Sequence, residues 1–352
     1  MQDSSTAWSR FRGGLAGLAA LGVAAAAAGC GDTSAAVPAT RPATPAAQVA
    51  RWTPIVHVRR PLDLAGPRSD GSLLLAAAGR LFVLGPGGAV HPFASGPAGY
   101  RSPGGEEPYI ALAPPVATQR SCGFQAGTVY ALRLTNGRGV VAISQSSGVR
   151  RLARLNAPGL IDGIAFDGTG RFAHRLLVTI NAGSKTTVDA IDCRGRVTAI
   201  TRTAPRVEGG IAVAPASFGR FAGDLIAPGE TSGRIFAVTP AGQSLLVADS
   251  GLPHGNDIGV ESEGFVPSGS PDALVSDRLT PGNPHPGDDV VLSIGAGALR
   301  AAGVRQGDLL VATEGGALTD AIRCTRLGCR VRLVAKGPAV AHIEGHITFA
   351  RP

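Results

Sequence analysis

The chain has 352 residues and a formal net charge of +8, from 33 Lys and Arg against 25 Asp and Glu. Its arginines are scattered and aromatic residues make up only 5%, whereas nucleic-acid binding favours a clustered basic stripe interleaved with stacking aromatics. Composition therefore excludes a typical nucleic-acid-binding surface and leaves a globular chain long enough for one large core.

Residues 1–29 predict an export signal. Arg10 and Arg12 precede an apolar run of Ala, Gly, Leu and Val, which is the pattern of a secretory signal. The run is short and consists mostly of small residues, so a permanent transmembrane helix is disfavoured. It ends at Ala27-Ala-Gly-Cys30, which resembles a bacterial lipobox, and the resemblance implies lipidation of Cys30. The alternative is ordinary cleavage, which would give a secreted protein.

An Ala-, Pro- and Thr-rich segment, residues 30–50, follows the signal. It cannot bury enough apolar surface to order itself, so we predict an extended tether. The folded domain is then expected over residues 51–352, as a monomer anchored at the outer side of a bacterial cytoplasmic membrane.

A short phrase, an acidic residue followed by an apolar run, returns along this domain. The copies begin at Glu107, Asp162, Glu208, Asp257 and Glu344. The first four are 46–55 residues apart, and the 87 residues from 257 to 344 leave room for a degenerate copy at Asp289–Ile294. A unit of roughly 40–50 residues is the size of a four-stranded propeller blade.

The segments between the copies contain short apolar strands and Gly-rich turns, as in Gly223-Asp-Leu-Ile-Ala227. Even spacing of such strands is typical of a propeller. We predict an all-β fold, a six-bladed β-propeller, with five or seven blades as the alternatives. The first unit has no clear phrase in front of it and the chain ends on a bare one. Residues 343–350 are therefore expected to complete the blade begun near residue 70 and to close the ring.

Four cysteines remain after Cys30, and an even number in an exported chain favours disulfides. Cys324 and Cys329 flank a predicted hairpin turn and are expected to pair, which leaves Cys122 and Cys193 as the second pair by elimination. Zinc is disfavoured because no CxxC or nearby His completes a set of four ligands.

The acids of the phrase carry the main functional hypothesis. Residues just ahead of each inner strand lie around one mouth of a propeller channel, so Glu107, Asp162, Glu208, Asp257 and Glu344 are expected to converge there. Converging carboxylates need a cation or a proton among them, which predicts a calcium or magnesium site. His254, Asn256 and His346 could add ligands. The competing interpretation is structural, because an acid before a strand often caps a turn.

Two further groups have both a functional and a structural interpretation. Asn283, His285 and Asp288 lie in a Pro/Gly-rich loop that suits a cation or substrate, or simply a rigid surface turn. Glu230 and Glu314 occupy matching places, each at the end of the second strand of its repeat unit. We interpret both as turn residues.

The blades resemble the six-bladed propellers of the SMP-30/gluconolactonase and NHL-like group, over most of the chain after residue 65. Glu208-Gly-Gly-Ile resembles the Glu-Gly-Pro opening of the lactonases, and Gly255-Asn256-Asp257 resembles their Asn-Gly segment. The resemblance implies one divalent cation in the channel, held by Glu and Asn or Asp, and hydrolysis of sugar lactones. The Pro and Trp of the opening motif are absent here. The first prediction is therefore a binding module for a small ligand or an envelope protein, and the alternative is a metal-dependent hydrolase.

Overall fold

A computed structural model describes residues 48–103, 107–115, 123–135, 137–144, 148–255 and 257–350. Their strands form six small sheets arranged as the blades of a propeller. The predicted six-bladed all-β fold is thus confirmed. Within the described part of the chain, no helix has the length and hydropathy needed to cross a bilayer.

Blades 1 to 4 are each built from four consecutive antiparallel strands. Blade 1 comprises β3 (Pro61–Ala65), β4 (Leu73–Ala77), β5 (Arg80–Leu84) and β6 (Val90–Phe93); blade 2 comprises β7 (Ile110–Leu112), β8 (Val129–Arg133), β9 (Gly139–Ile143) and β10 (Val149–Arg154). Blade 3 comprises β11 (Leu160–Phe166), β12 (Leu176–Ala182), β13 (Lys185–Ile191) and β14 (Val197–Pro205); blade 4 comprises β15 (Ala212–Val213), β16 (Leu225–Gly229), β17 (Arg234–Val238) and β18 (Ser244–Asp249).

The last two blades are interleaved along the chain. Blade 5 comprises β19 (Val260–Phe265), β22 (Leu309–Thr313), β23 (Thr319–Cys324), β24 (Cys329–Lys336) and the parallel β1 (Ala50–Arg51). Blade 6 comprises β25 (Ile343–Ala350), β20 (Asp272–Asp277), β21 (Val290–Ile294) and β2 (Thr53–His57). The chain therefore leaves blade 5 after one strand, forms the middle of blade 6, passes through helix α1 (Ala296–Ala301) and returns to finish blade 5.

The ring closes in blade 6, where β25 is the inner strand and β2 is the outer strand. Strands from the N-terminal and C-terminal parts of the described chain thus share one sheet, but β25 pairs with β20 rather than with the strand near residue 70. Blade 1 has its own inner strand, β3, which pairs with β4. We missed β3 because its acid, Asp63, is followed by only Leu64 and Ala65 before Gly66-Pro67, so the apolar run of the phrase is too short to recognise.

The proposed degenerate copy at Asp289–Ile294 is also corrected. Val290–Ile294 is β21, the third strand of blade 6, between β20 and β2. Its continuous apolar run resembles that of an inner strand because β21 is covered by neighbouring blades, with four of its five residues buried.

The core lies between neighbouring blades. Phe124, Tyr130 and Phe166 illustrate it, because their rings pack edge to face across blades 2 and 3 with centroids 4.9–5.4 Å apart. At the chain start, the indole N–H of Trp52 donates to Thr319 Oγ1 at 2.7 Å, which fixes the N-terminal strands against blade 5.

Close packing explains why glycine occurs in the recurring phrase. Gly209 has φ +76°, and a Cβ there would overlap the side chain and carbonyl oxygen of Glu261 on the next inner strand, β19. Gly345 has φ +71°, and a Cβ there would overlap Asp63 of blade 1. A left-handed backbone and the close approach of a neighbouring strand both require glycine. The glycines of the phrase therefore mark places where inner strands pack tightly at the channel.

The Cys324–Cys329 disulfide is present and links the paired ends of β23 and β24, as predicted. Cys193 is also disulfide-bonded. Its predicted partner, Cys122, lies outside the described residues, as do Cys30 and the whole of residues 1–47.

Candidate functional site

One mouth of the channel holds a polar cavity of about 330 Å³. The inner strands all start at this mouth, so side chains that precede or begin them gather there. The described wall consists of Glu107, Arg206, Glu208, Glu230, Asp257, Glu261, Arg278, Thr280, Glu314, His342 and Glu344. Seven carboxylates thus face two guanidinium groups and one imidazole, an excess of negative charge in a small space.

Arg278, just after β20, links two of the acids. Its Nη1 donates to Glu107 and lies 3.3 Å from Glu344 Oε1. Burial alone would lower the pKa of Arg278, but the charges of Glu344 and Glu107 raise it above its ordinary value. The guanidinium is therefore a fixed positive charge that neutralises part of the cluster.

His342 precedes β25 and lies between two acids. Its Nε2 is 2.9 Å from Glu314 Oε1 and 3.4 Å from Glu344 Oε1. Burial acts to lower the pKa of His342, yet hydrogen bonds to both carboxylates raise it to about 10. The other ring nitrogen, Nδ1, is buried and has no partner among the described residues. One donor atom from each of the three side chains lies within 4.8 Å of the others.

On the opposite wall, Glu208 is held by Arg206 through a two-pronged contact, with Nη2 to Oε2 at 2.8 Å and Nε to Oε2 at 3.0 Å. Glu230, after β16, accepts the backbone N–H of Asp257 at 3.0 Å. Burial, together with the charges of Glu208 and Glu314, raises the pKa of Glu230 to about 8. This carboxyl therefore holds a proton at neutral pH unless a cation replaces that proton.

The floor of the cavity is a buried hydrogen-bonded layer. The hydroxyl of Tyr109 donates to Glu261 Oε1 at 2.6 Å and lies 3.1 Å from Glu344 Oε2. Beneath it, His346 contacts Asp63, with Nδ1 to Oδ1 at 3.0 Å. The rings of Tyr109 and His346 meet edge to face at 6.4 Å. These side chains cross the channel and separate the polar mouth from its other end.

The structure brings together four of the acids predicted from the phrase, Glu107, Glu208, Asp257 and Glu344. Asp162 lies behind them and accepts the Asn181 side-chain N–H at 2.8 Å; burial raises its pKa well above the ordinary range. His254 contacts the carbonyl of Leu252 and is not part of the wall. Asn256 lies outside the described residues.

Several wall residues were not identified from the sequence or were given a purely structural role. Glu230 and Glu314, which we interpreted as turn residues, both face the cavity. Their matching positions after second strands were the signal that should have linked them to it. Glu261, and not Asp257, is the acid of the fifth inner strand. Arg278 and His342 belong to no recurring sequence pattern that would have identified them.

The Pro/Gly-rich loop that follows β20 contributes only the residues at its base to the cavity. Arg278 and Thr280 line the wall, but Asn283, His285 and Asp288 do not. Asn283 Oδ1 accepts the His285 N–H at 2.8 Å, and His285 Nδ1 contacts the carbonyl of Ala339 at 2.6 Å. The contacts of Asn283 and His285 are those of a structural turn.

No protein-family model matches the chain, and no curated protein matches it. Solved structures with a similar chain course include virginiamycin B lyase from Staphylococcus aureus, at 11% identity and TM-score 0.43, covering 78% of this chain and 70% of that one. A putative gluconolactonase has 12% identity and TM-score 0.37, covering 70% of this chain and 92% of that one. A putative oxidoreductase (glucose dehydrogenase) from Thermus thermophilus has 18% identity and TM-score 0.38, with coverage of 70% and 99%. We draw no functional conclusion from similarity at this level.

Proposed function

We propose that this protein is a binding module whose acidic channel mouth captures a divalent cation and, with it, a small oxygen-rich ligand. The observation that carries the proposal is the excess of seven carboxylates over two guanidinium groups and one imidazole in a cavity of about 330 Å³. Carboxylates at such density are stable only with protons or a cation among them.

The donor set fits a hard divalent cation. Glu230, Asp257, Glu314 and Glu344 would supply carboxylate oxygens, which Ca²⁺, Mg²⁺ and Mn²⁺ prefer. His342, whose Nε2 lies 2.9 Å from Glu314 Oε1, would orient that carboxylate. Glu208 is already paired with Arg206, so its role is to maintain the negative field rather than to stand alone as a ligand.

The test begins with metal analysis and calorimetry. Full-length protein purified without chelator is analysed for bound metal, then stripped and titrated with CaCl₂, MgCl₂ and MnCl₂. We expect one cation per chain. Glu314→Gln and Glu344→Gln should each weaken the affinity by about tenfold or more, as expected when a charged ligand is removed.

The matched control is Asp189→Asn. Asp189 is a buried carboxyl on β13, 4% exposed, and lies outside the cavity wall; its loss should leave cation affinity unchanged. A metal-free protein whose melting temperature is the same in chelator and in excess cation would overturn the proposal.

A second candidate function is hydrolysis of a lactone. It is favoured by Glu230, whose pKa of about 8 suits proton exchange near neutral pH, and by Arg278 and His342, which supply positive charge in the same cavity. A bound divalent cation would supply Lewis-acid polarisation of a carbonyl oxygen. Turnover of a sugar-lactone panel by the cation-loaded protein, lost in Glu230→Gln even at a cation concentration that saturates the variant, would favour this candidate over simple binding.

We further propose export and lipid anchoring through Cys30. The supporting observations are the signal-like pattern of residues 1–29 and the Cys324–Cys329 disulfide, since disulfides persist in oxidising compartments. Expressed in a bacterial host, the protein should fractionate with membranes and carry a lipid-modified N-terminus by mass spectrometry. Cys30→Ser should release it. An unmodified, unprocessed N-terminus would contradict this.

A further inference from the structure

A second cavity lies at the other end of the channel. It measures about 520 Å³, and all six inner strands, β3, β7, β11, β15, β19 and β25, contribute to its wall. Most of the wall is aliphatic or aromatic, including Ile110, Ile164, Ile211, Phe265 and Phe349. A concave apolar site of this size is suited to a small organic molecule.

One carboxyl group belongs to this apolar wall. Glu263, on β19, is 0% exposed, and neither of its carboxyl oxygens has a hydrogen-bond partner among the described residues. Burial raises the pKa of Glu263 well above its ordinary range, opposed only in part by the nearby backbone of Ala212. A buried acid without a hydrogen-bond partner is destabilising, and within the described part of the chain only the nearby backbone of Ala212 offsets part of that cost.

The wall of this cavity, as far as the structure describes it, holds no cation that balances Glu263. Its other titratable side chain is His346, whose Nδ1 lies 3.0 and 3.1 Å from the two carboxylate oxygens of Asp63. Asp63 also accepts the backbone N–H groups of Ile110 and His346. This pair is therefore satisfied within the protein, whereas Glu263 is not.

The geometry points to a second binding site, in which the apolar cavity holds a small hydrophobic amine and the Glu263 side chain turns toward the cavity to bind its ammonium group. An ammonium group supplies both the missing N–H donors and the missing positive charge, while the hydrocarbon body covers the apolar wall. A neutral ligand would hydrogen-bond only to the protonated carboxyl and gain no ion pair, and an anion would oppose ionisation of Glu263.

This site is independent of the acidic mouth. Tyr109, 2% exposed, and the Asp63–His346 pair cross the channel between the two cavities. Failure of one site therefore leaves the other intact, and each can be tested with its own ligand.

The test compares three ligands with one hydrocarbon body: phenylpropylamine, phenylpropanol and phenylpropionate, each titrated calorimetrically into the full-length protein. We expect the amine to bind about tenfold or more tightly than the alcohol, and the carboxylate not to bind. Glu263→Gln should lower amine affinity by about thirtyfold or more, the effect of removing one partner of a buried charge pair, and leave alcohol affinity unchanged.

Asp320→Asn is the matched control. Asp320 is another buried carboxyl of blade 5, on β23 and 3% exposed, and it lies outside both cavity walls. This variant should keep the preference for the amine. Folding of Glu263→Gln is checked by its melting temperature without ligand, which should equal or exceed that of the parent because a buried acid is removed. Equal affinity for amine and alcohol, unchanged amine affinity in folded Glu263→Gln, or no amine binding would each overturn the proposal.

Discussion

The hydroxyl of Tyr109 donates a 2.6 Å hydrogen bond to Glu261, a residue 152 positions away in the chain. This contact joins blade 2 to blade 5 across the channel. It also opposes the effects of burial and of Glu344, which together raise the pKa of Glu261. The phenolic O–H group of Tyr109 therefore ties together opposite sides of the layer that separates the two cavities.

Tyr109→Phe should destabilise the protein by about 1–3 kcal/mol, the cost of leaving a buried polar partner unsatisfied. The measurement is the free energy of unfolding in chelator, from denaturant titration. Tyr130→Phe, which alters a buried tyrosine of β8 away from the channel mouth, is the control. Equal destabilisation by the two substitutions would show that the channel hydrogen bond has no special weight.

Cation affinity should rise as the pH increases from 6 to about 8. Glu230 has a pKa of about 8, so below that pH a cation must displace its proton, and affinity falls as proton concentration increases. Calorimetric titration with CaCl₂ between pH 6 and 9 measures this. Glu230→Gln should weaken binding and flatten the profile; an unchanged slope in that variant would exclude Glu230 as the titrating group.

The cation-free protein should lose stability as the solution becomes alkaline. His342 has a folded pKa of about 10 against an ordinary 6.5, so its contribution is fully present below about pH 6.5 and is lost as pH rises through 10. In this window the native state binds more protons than the unfolded state, and the free energy of unfolding must fall with pH. Glu230, with its raised pKa, acts in the same direction at lower pH.

Melting temperatures in chelator from pH 6 to 10 check this expectation, and His342→Gln should make the decline shallower between pH 6.5 and 10. A melting temperature that rises over this range would contradict the protonated His342 bound by Glu314 and Glu344.

Gly209→Ala should destabilise the protein by roughly 2 kcal/mol or more, because it combines left-handed backbone strain with overlap against Glu261. Gly251→Ala separates the two effects. Gly251 also has a positive φ, +69°, but no atom lies within 4 Å of its notional Cβ, so it should lose only about 1 kcal/mol. Equal losses in thermal or denaturant unfolding would show that contact with Glu261 adds nothing.

Much of the fold could be predicted from local pattern. Short apolar strands, Gly-rich turns and an acid at the start of an inner strand recur at blade spacing, because the blades share one packing arrangement. The local pattern misled at two strands. In β3 only two apolar residues follow Asp63 before Gly66, and β21 has an apolar run like that of an inner strand although it is third in its sheet.

The candidate site was predicted less completely for a related reason. The phrase located Glu107, Glu208 and Glu344 at one mouth, since equivalent positions in repeats occupy equivalent places. Arg278 and His342 belong to no repeat, and they reach the mouth only because β20 and β25 pair in blade 6. The unpartnered state of Glu263 likewise depends on which strands surround it.

The sequence by itself determined the class of fold, the Cys324–Cys329 link and the mouth at which acids gather, because strand periodicity and turn chemistry act over a few residues. Only the tertiary structure decided how blades 5 and 6 interleave, which acids are paired, and that the channel is divided into a polar and an apolar cavity. Those features arise from contacts between residues far apart in the chain, such as Tyr109 with Glu261 and His346 with Asp63. The residues next to each of them in the sequence do not indicate which distant partner it contacts.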